Sequence, residues 1–340
     1  MNRYKSDHMH NTSIVRNFGS VAAIILFLIS TVSCEKTDYD LLDPEDAGVW
    51  TLFNTTDGLP GNTVSDIQLD KRGNLWLTFP GQGCAKYVDG TWTSYVNTNS
   101  PLLSNTVSCL EESADGSIIF GTSTGLSILS TTNTWDSYID PVNTMIVTSV
   151  KVASDRSIWV GTSDQGFYVN RGLGYIKTFT EVFKKINVIE EDVLGNIWIG
   201  TDNGIIRWNG TSYNYLSQKE GLPDNRVTSI RRDSKKRLWI GTHGGKNVAW
   251  IDNNGFHDLS LMNGKDSCIV NDIFEDRRGN IWFATTDDGL IYYDGIVPKA
   301  FRVSNGFPEN TIRSIGEDKY GNLWFGLGSK GVVRYTLPIN

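Results

Sequence analysis

The sequence predicts an all-β fold, a seven-bladed β-propeller over residues 49–340 with four strands in each blade. The first observation is a pattern of the type Gly-Asn-Ile-Trp-Ile that occurs seven times. Its Trp position is held by Trp76, Ile119, Trp159, Trp198, Trp239, Trp282 and Trp324, which follow one another at intervals of 39 to 43 residues. The second is composition, because 34 Gly and 11% aromatic residues suit tight turns and flat rings packed between sheets. A period of about 40 residues is typical of propeller blades.

Residues 1–34 have the features of an export signal. Three basic residues precede and border the apolar run 21–32, which is too short to span a bilayer comfortably. The sequence Thr31-Val32-Ser33-Cys34 resembles the cleavage box of bacterial lipoproteins, although that box usually has Leu where Thr31 stands. We therefore expect lipidation of Cys34, followed by a polar tether over residues 35–48. A plain signal peptide with an incidental Cys34 is the alternative.

This prediction places the protein outside the cytoplasm, lipid-anchored to a membrane of a gram-negative cell envelope, in the periplasm or at the outer membrane. Without residues 1–34 the chain has 28 basic and 37 acidic residues, a net charge of −9. An acidic chain without a basic run is a poor partner for nucleic acid. Cys84, Cys109 and Cys268 fit no disulfide framework or metal motif, so we expect small buried side chains.

The first repeat shows how a blade is built. Strands are predicted at Thr63–Asp70, Leu75–Phe79, Ala85–Val88 and Thr91–Tyr95, with a turn that starts at Asp70. The corresponding turns of later blades are predicted to start at Asp115, Asp155, Asp192, Asp233, Asp276 and Asp318. The second strand is apolar on both faces, which indicates that neighbouring blades cover it and that its Trp fills the space between them.

The two ends of the chain predict how the ring closes. The segment Trp50–Phe53 resembles a fourth strand, yet it precedes the first complete blade. The last repeat stops after its third strand, Val332–Thr336. We therefore expect the N-terminal strand to complete the last blade, which removes an exposed sheet edge.

A second motif precedes three of the repeats and carries a resemblance. It has the form Gly-Leu/Phe-Pro followed by Asn, and it occurs at Gly58 to Asn62, Gly221 to Asn225 and Gly306 to Asn310. Together with the Trp pattern it resembles the two-component-regulator propeller repeat. That resemblance implies a periplasmic sensor surface of the type often thought to detect carbohydrate fragments. Since the chain shows one propeller and no kinase or DNA-binding region, we expect a sensor-like or scaffold role without its own signalling output.

Propellers usually bind ligands on the face formed by the loops between strands two and three and between strands four and one. The candidate ligand-binding residues in these loops are Asp164, Asp202, Asn203, His243, Asp287, Asn62, Asn225 and Asn310. Carboxylates and amides could bond sugar hydroxyls or hold a Ca-type divalent cation. Asn and Asp in turns also bond their own backbone, and that alternative stays open.

Two functions from different classes remain. The first is binding of a glycan fragment or a protein partner through the loop face, with no catalytic residue, metal site or cofactor. The second is a lyase or hydrolase acting on a polysaccharide or a small molecule, because streptogramin lyases are similar seven-bladed propellers. We expect His243 on the loop face and His257 in a fourth strand not to converge. Titratable groups within about 4 Å of one another in a deep channel mouth would favour catalysis.

Overall fold

The computed structural model describes residues 48–138, 145–178, 183–244, 248–252, 255–261 and 268–336. In these residues 28 strands form seven four-stranded antiparallel sheets, so the prediction of a seven-bladed β-propeller is confirmed. The predicted signal segment 1–34, the lipidation residue Cys34 and the tether up to residue 47 lie outside the described residues. Among the residues that are described, none forms a helix long and apolar enough to cross a membrane.

Each sheet is one blade, numbered in chain order. The strands of blades one and two are β2 (Asp66–Leu69), β3 (Leu75–Phe79), β4 (Gly83–Val88), β5 (Thr91–Tyr95), β6 (Val107–Glu112), β7 (Ile118–Thr122), β8 (Gly125–Leu129) and β9 (Trp135–Tyr138). Those of blades three and four are β10 (Val147–Val152), β11 (Ile158–Thr162), β12 (Phe167–Asn170), β13 (Tyr175–Thr178), β14 (Ile186–Glu191), β15 (Ile197–Thr201), β16 (Gly204–Trp208) and β17 (Tyr213–Leu216).

The remaining blades follow the same plan. Blades five and six consist of β18 (Val227–Arg232), β19 (Leu238–Thr242), β20 (Val248–Asp252), β21 (Gly255–Leu259), β22 (Ile269–Glu275), β23 (Ile281–Thr286), β24 (Leu290–Tyr293) and β25 (Lys299–Phe301). Blade seven consists of β26 (Ile312–Glu317), β27 (Leu323–Leu327), β28 (Val332–Thr336) and β1 (Val49–Phe53). Three short 3-10 turns lie at Thr55–Asp57, Gln218–Glu220 and Val303–Asn305.

The N-terminal strand closes the ring as the sequence predicts. β1 pairs antiparallel with β28, from Val49 opposite Thr336 to Phe53 opposite Val332. The ring of Trp50 stacks on Tyr335 at 4.2 Å between centroids, and Phe53 stacks on Trp324 at 5.4 Å. Two aromatic side chains therefore anchor a strand that comes from the far end of the chain.

The Trp residues of the second strands are structural. Trp76, Trp159, Trp239, Trp282 and Trp324 are at most 2% exposed, and Trp198 is 3% exposed. They belong to the apolar clusters that join one blade to the next, as where Trp324 of blade seven packs with Leu75 and Leu77 of blade one. Burial between blades confirms that they fill space and present no open platform.

A carboxylate organises the turn between strands one and two. In blade six, Asp276 accepts hydrogen bonds from the backbone N–H groups of Arg278 and Asn280, from the Asn280 side chain and from Nε1 of Trp282 at 2.9 Å. The same carboxylate-to-Trp bond recurs at Asp70, Asp192, Asp233 and Asp318. This arrangement, here called the turn carboxylate, satisfies the buried indole N–H and holds the turn onto the second strand.

Blades two and three depart from this plan, and here two sequence predictions are wrong. Their turns start at Ser113 and Ala153, which accept the turn-closing bonds from Gly116 and Arg156. Asp115 and Asp155 stand two residues later, inside the turn. In blade three the indole of Trp159 donates to Ser157 Oγ at 2.9 Å, because Ala153 offers no carboxylate.

Loops of two kinds meet on one face of the ring. The N–H of Gly204, just after a two-to-three loop, donates to the carbonyl of Asn225 in the next four-to-one loop at 2.5 Å, and Gly331 donates likewise to Asn62 at 2.7 Å. We call this the loop face. The opposite face, formed by the one-to-two turns and the three-to-four hairpins, is called the turn face.

Candidate functional site

The first strands of all seven blades enclose a central channel with a volume of about 500 Å³. At its loop-face end lies one residue from each blade, directly after a buried Val or Ile at or near the start of the first strand. These seven residues, here called the mouth ring, are Ser65, Ser108, Thr148, Asn187, Thr228, Asn271 and Arg313. Their side chains make the entrance to the channel polar.

Six members of the mouth ring tie neighbouring blades together. Each donates a side-chain hydrogen bond to the carbonyl of the Val or Ile that opens the next blade, from Ser65 to Val107, Ser108 to Val147, Thr148 to Ile186, Asn187 to Val227, Thr228 to Val270 and Asn271 to Ile312. The sequence carries a signal for this ring, a Val or Ile followed by Ser, Thr or Asn in six of the seven repeats. Sequence reasoning missed it because such residues also look like ordinary strand residues.

Arg313 breaks the mouth ring in blade seven. Its side chain is exposed and lines the channel. It makes no hydrogen bond or ion pair with another residue that the structure describes. A guanidinium group with unused donors at the entrance of a polar channel is suited to bind an anionic or hydroxyl-bearing ligand.

Two carboxylates lie deeper in the channel, on either side of blade seven. Asp66 accepts the backbone N–H of Leu110 at 2.9 Å, and Asp272 accepts that of Ile315 at 2.9 Å. Burial raises the pKa of each carboxyl group to about 6, although these bonds and the charge of Arg231 act in the opposite direction. Both groups therefore serve as acceptors for neighbouring blades, and both can change charge near neutral pH.

An ion-pair chain spans blades two to four inside the channel. Lys151 lies 3.7 Å from Glu111 and 3.0 Å from Glu190. Burial acts to lower the pKa of Lys151, but the two carboxylates outweigh it and hold the pKa above its ordinary value. These groups meet the distance criterion that favours catalysis, although a lysine held protonated between two carboxylates would not act as a general base.

Asp202 is the centre of the best-connected group on the loop face. It pairs with Lys185 at 3.1 Å and with Arg226 at 3.5 Å, and it accepts from Asn187 Nδ2 at 2.8 Å. Burial acts to raise its pKa, but the bonds from Asn187 and Lys185 and the two positive charges hold the pKa below its ordinary value. Asp202 thus stays ionised beside a member of the mouth ring.

His243 and Asn203 belong to the same sector. The backbone N–H of His243 donates to the carbonyl of Arg226 at 2.9 Å, which links it to the Asp202 group. Asn203 adjoins Asp202, is exposed, and its carbonyl accepts from the hydroxyl of Tyr215. The structure therefore joins three of the predicted residues, Asp202, Asn203 and His243, in blades four and five.

The other predicted acids lie apart from this group. Asp287 is exposed, and its carboxylate accepts from Thr311 Oγ1 of the loop that enters blade seven at 3.2 Å. Asp164 in blade three is exposed, and among the residues that the structure describes its carboxylate accepts only from the neighbouring Ser163, at 3.4 Å. No bond among the described residues connects Asp164 or Asp287 to Asp202.

The three predicted Asn residues hold their own loops. The side-chain oxygens of Asn62, Asn225 and Asn310 accept the backbone N–H groups of Thr55, Gln218 and Val303, seven residues earlier. Each loop in between contains a 3-10 turn that ends at a Gly with positive φ, as at Gly58 with φ 100°. The turn role that the sequence left open is therefore present, and it engages the oxygen of each amide.

The residues described give little support for a metal site, for a reactive cysteine or for a pair of catalytic histidines. These residues contain no group of three or more His, Cys, Asp or Glu side chains that could hold a metal ion. Cys84, Cys109 and Cys268 are buried and form no disulfide, and burial raises the pKa of Cys109 and Cys268 to about 12. His257 lies in the outer strand of blade five, 3.0 Å from Asp252 and stacked on Trp250, away from the loop face.

The described residues thus form a seven-bladed propeller around a polar channel. A comparison with known proteins finds similar repeats and similar folds. Residues 58–80, 221–244, 264–287 and 306–328 match the family model described as two component regulator propeller. Four segments of the chain therefore match this repeat, which confirms the resemblance predicted from the sequence. It is also 28% identical over 248 residues to histidine kinase P4 of Formosa agariphila, covering 64% of this chain and 18% of the kinase.

Solved structures of similar shape come from two different functional classes. The extracellular domain of the putative hybrid two-component system BT3049 of B. thetaiotaomicron has a TM-score of 0.73 at 23% identity, covering 85% of this chain and 41% of that one. Virginiamycin B lyase of Staphylococcus aureus has a TM-score of 0.69 at 15% identity, covering 85% of this chain and 99% of the lyase. These likenesses show a common fold. This chain spans less than half the length of the kinase and of the extracellular domain of the hybrid system.

Proposed function

We propose that this protein is an exported binding propeller that recognises a polyhydroxylated ligand, a glycan fragment, at the loop-face entrance of its channel. The observation that supports it most is Arg313. This exposed guanidinium is the mouth-ring residue of blade seven, whereas the other six blades have Ser, Thr or Asn at the equivalent position. Those six side chains and the Asp202 group supply hydroxyl, amide and carboxylate partners around the same opening. Sugar hydroxyls need such mixed donors and acceptors.

The test uses the full chain and a panel of neutral and acidic oligosaccharides, measured by isothermal titration calorimetry. Arg313→Thr restores the side chain typical of the mouth ring and provides the donor for the missing bond to Val64, so the fold should keep its melting temperature. Binding should weaken by about 1–3 kcal/mol, which is roughly 5- to 150-fold. Asp202→Ala should weaken it to a similar degree.

Arg278→Thr is the matched control, because Arg278 is also exposed but lies on the turn face. If binding survives in Arg313→Thr and Asp202→Ala but is lost in Arg278→Thr, the site lies on the turn face and the proposal is wrong. A peptide or protein that competes where no oligosaccharide binds would replace the glycan by a protein ligand. Metal-dependent turnover that disappears in His243→Ala would replace the binding function by the lyase alternative.

The anchor is a separate part of this proposal and has its own test. We propose that Cys34 carries lipid and becomes the mature N-terminus, because a polar segment follows directly after an apolar run that ends at Ser33-Cys34. Cys34→Ala should move the protein from the membrane fraction to the soluble fraction or leave it unprocessed. Unchanged fractionation, with a free Cys34 in the mass spectrum, would contradict lipidation.

A further inference from the structure

A second cavity lies at the junction of blades three and four, near the turn face. It has a volume of about 400 Å³, and Ala153, Ser157, Trp159, Arg171 and Trp208 are among its lining residues. Ala153 occupies the position at which five other blades have the turn carboxylate. Ser157 occupies the position at which four blades have Asn. Two smaller side chains thus leave space that other blades fill.

The hydrogen bonds around this cavity leave one charged group with unused donors. The carboxylate of Asp155 accepts from Ser157 at 2.8 and 2.5 Å, and that of Glu191 accepts from Ser154 at 2.9 and 2.6 Å. Arg171 is exposed and lies over the ring of Trp159 at 5.5 Å. Its guanidinium donates no hydrogen bond to any other residue within the described part of the chain.

The edge of the cavity is unusually apolar for a solvent-exposed turn. Leu194, next to the lining residue Gly195, is 78% exposed, and Leu173, two residues from Arg171, is 94% exposed. In the other six blades at least one of the two residues after the first turn residue is charged, whereas blade four has Val193-Leu194. Large aliphatic side chains grouped around a cavity mark a surface that another molecule covers.

We propose that this cavity and its rim, together called the blade-three pocket, dock an extended segment of a partner protein in which a large apolar side chain precedes a carboxylate. The apolar side chain enters the space beside Ala153 and Trp208. The carboxylate meets Arg171, whose planar fork suits such a group. Leu173 and Leu194 cover the flanking residues. The cavity is also lined by Ser154, Asp155, Ser157 and Glu191. The exposed Leu173 and Leu194 nevertheless favour a protein segment over a sugar, because a sugar would leave these aliphatic side chains uncovered.

The decisive variant refills the pocket with the side chains of the other blades. Ala153→Asp together with Ser157→Asn recreates the turn carboxylate, so Trp159 regains the partner that Trp282 has in blade six. The double variant should melt at the same temperature as the native chain or higher. It should nevertheless lose docking. A variant that removes the site while preserving or improving the fold separates binding from stability.

The probe is a fluorescein-labelled peptide, Gly-Ser-Leu-Phe-Asp-Leu-Ser-Gly, titrated with the full chain by fluorescence anisotropy. Saturable binding with a Kd below about 1 mM is expected. The refilled variant, Arg171→Gln and Leu194→Ser should each weaken it at least tenfold. The matched control is Ile296→Ser, since Ile296 is an 80% exposed aliphatic residue of the three-to-four hairpin in blade six.

Each other result overturns the proposal. Absence of saturation, equal binding by the native and refilled chains, or loss of binding in Ile296→Ser would show that the pocket does not dock such a segment. A peptide in which Asn replaces Asp and which binds equally well would remove the role of Arg171. Binding of digalacturonate that depends on Arg171, without peptide binding, would assign the pocket to an acidic sugar instead.

Discussion

Blade seven and blade three differ in how their strands and their first turn are held in place. Blade seven takes its outer strand from the far end of the chain, yet it has the complete turn carboxylate at Asp318 and aromatic stacking of Trp50 and Phe53 on its strands. Blade three has four consecutive strands, but it lacks the turn carboxylate and has the exposed Ile176 on its outer strand. Blade seven thus holds a strand from the far end of the chain by side-chain stacking, whereas blade three keeps its four strands together without the turn carboxylate.

Removing the outer strand of blade seven should have the largest effect. Deletion of residues 35–54 opens the ring, exposes the edge of β28 and removes the stacking partners of Tyr335 and Trp324. We expect a loss of about 5 kcal/mol or more, equivalent to about 10 °C in melting temperature. Deletion of residues 35–46 removes only the predicted tether and serves as the control. Equal melting curves for the two truncations would contradict closure by β1.

Removing the turn carboxylate of blade seven should have the next largest effect. Asp318→Ala leaves the buried indole N–H of Trp324 and the N–H groups of Asn322 without their acceptor, at a cost of about 3 kcal/mol by urea denaturation. Adding Asn322→Ser supplies a hydroxyl at the position that Ser157 holds in blade three, where it accepts from Trp159. This hydroxyl can accept from Trp324, so about 1 kcal/mol of stability should return. No recovery in the double variant would show that blade three relies on something other than Ser157.

The junctions beside these two blades also differ in charge, and this predicts a dependence on pH. Asp272 accepts the N–H of Ile315 at the entry to blade seven, whereas Ser149 accepts the N–H of Ile189 after blade three. The folded pKa of Asp272 is about 6, against an ordinary value of 3.8. Between these values the folded chain binds more protons than the unfolded chain. Stability therefore falls as pH rises from about 4 to about 6, and the loss is complete above 6.

Asp272→Ser copies the solution of blade three. It keeps a hydrogen-bond acceptor for Ile315 but removes the titrating group, so the decline between pH 4 and 6 should shrink by about 2 kcal/mol. Asp66, which has the same elevated pKa, remains and preserves part of the slope. Urea midpoints at half-unit pH steps measure the difference. A variant curve parallel to the native curve would rule out Asp272 as its source.

The contrast between the blades also shows which features the sequence could predict. The Trp positions, the boundaries of β3 and β5 and the pairing of β1 follow from the repeat period, because one repeat determines where its equivalents lie. The turns of blades two and three were misplaced since an Asp inside the turn at 115 or 155 satisfies the same turn preference as an Asp that starts it. The position of Arg313 at the channel entrance becomes visible only when the first strands converge on the channel.

The smallest effect is expected from the ion pair beside the same closure. Lys319 of blade seven lies 2.7 Å from Asp89 of blade one, and Tyr320 donates to the same carboxylate at 2.6 Å. The hydrogen bonds from Lys319 and Tyr320 hold the pKa of Asp89 below its ordinary value. All three residues face solvent, where screening and side-chain entropy offset most of the attraction. Lys319→Ala should therefore leave the melting temperature within experimental error, at low and at high salt. A clear loss at low salt that disappears in 1 M NaCl would show that charge, and not only the packing of Trp50 and Phe53, holds blade seven to blade one.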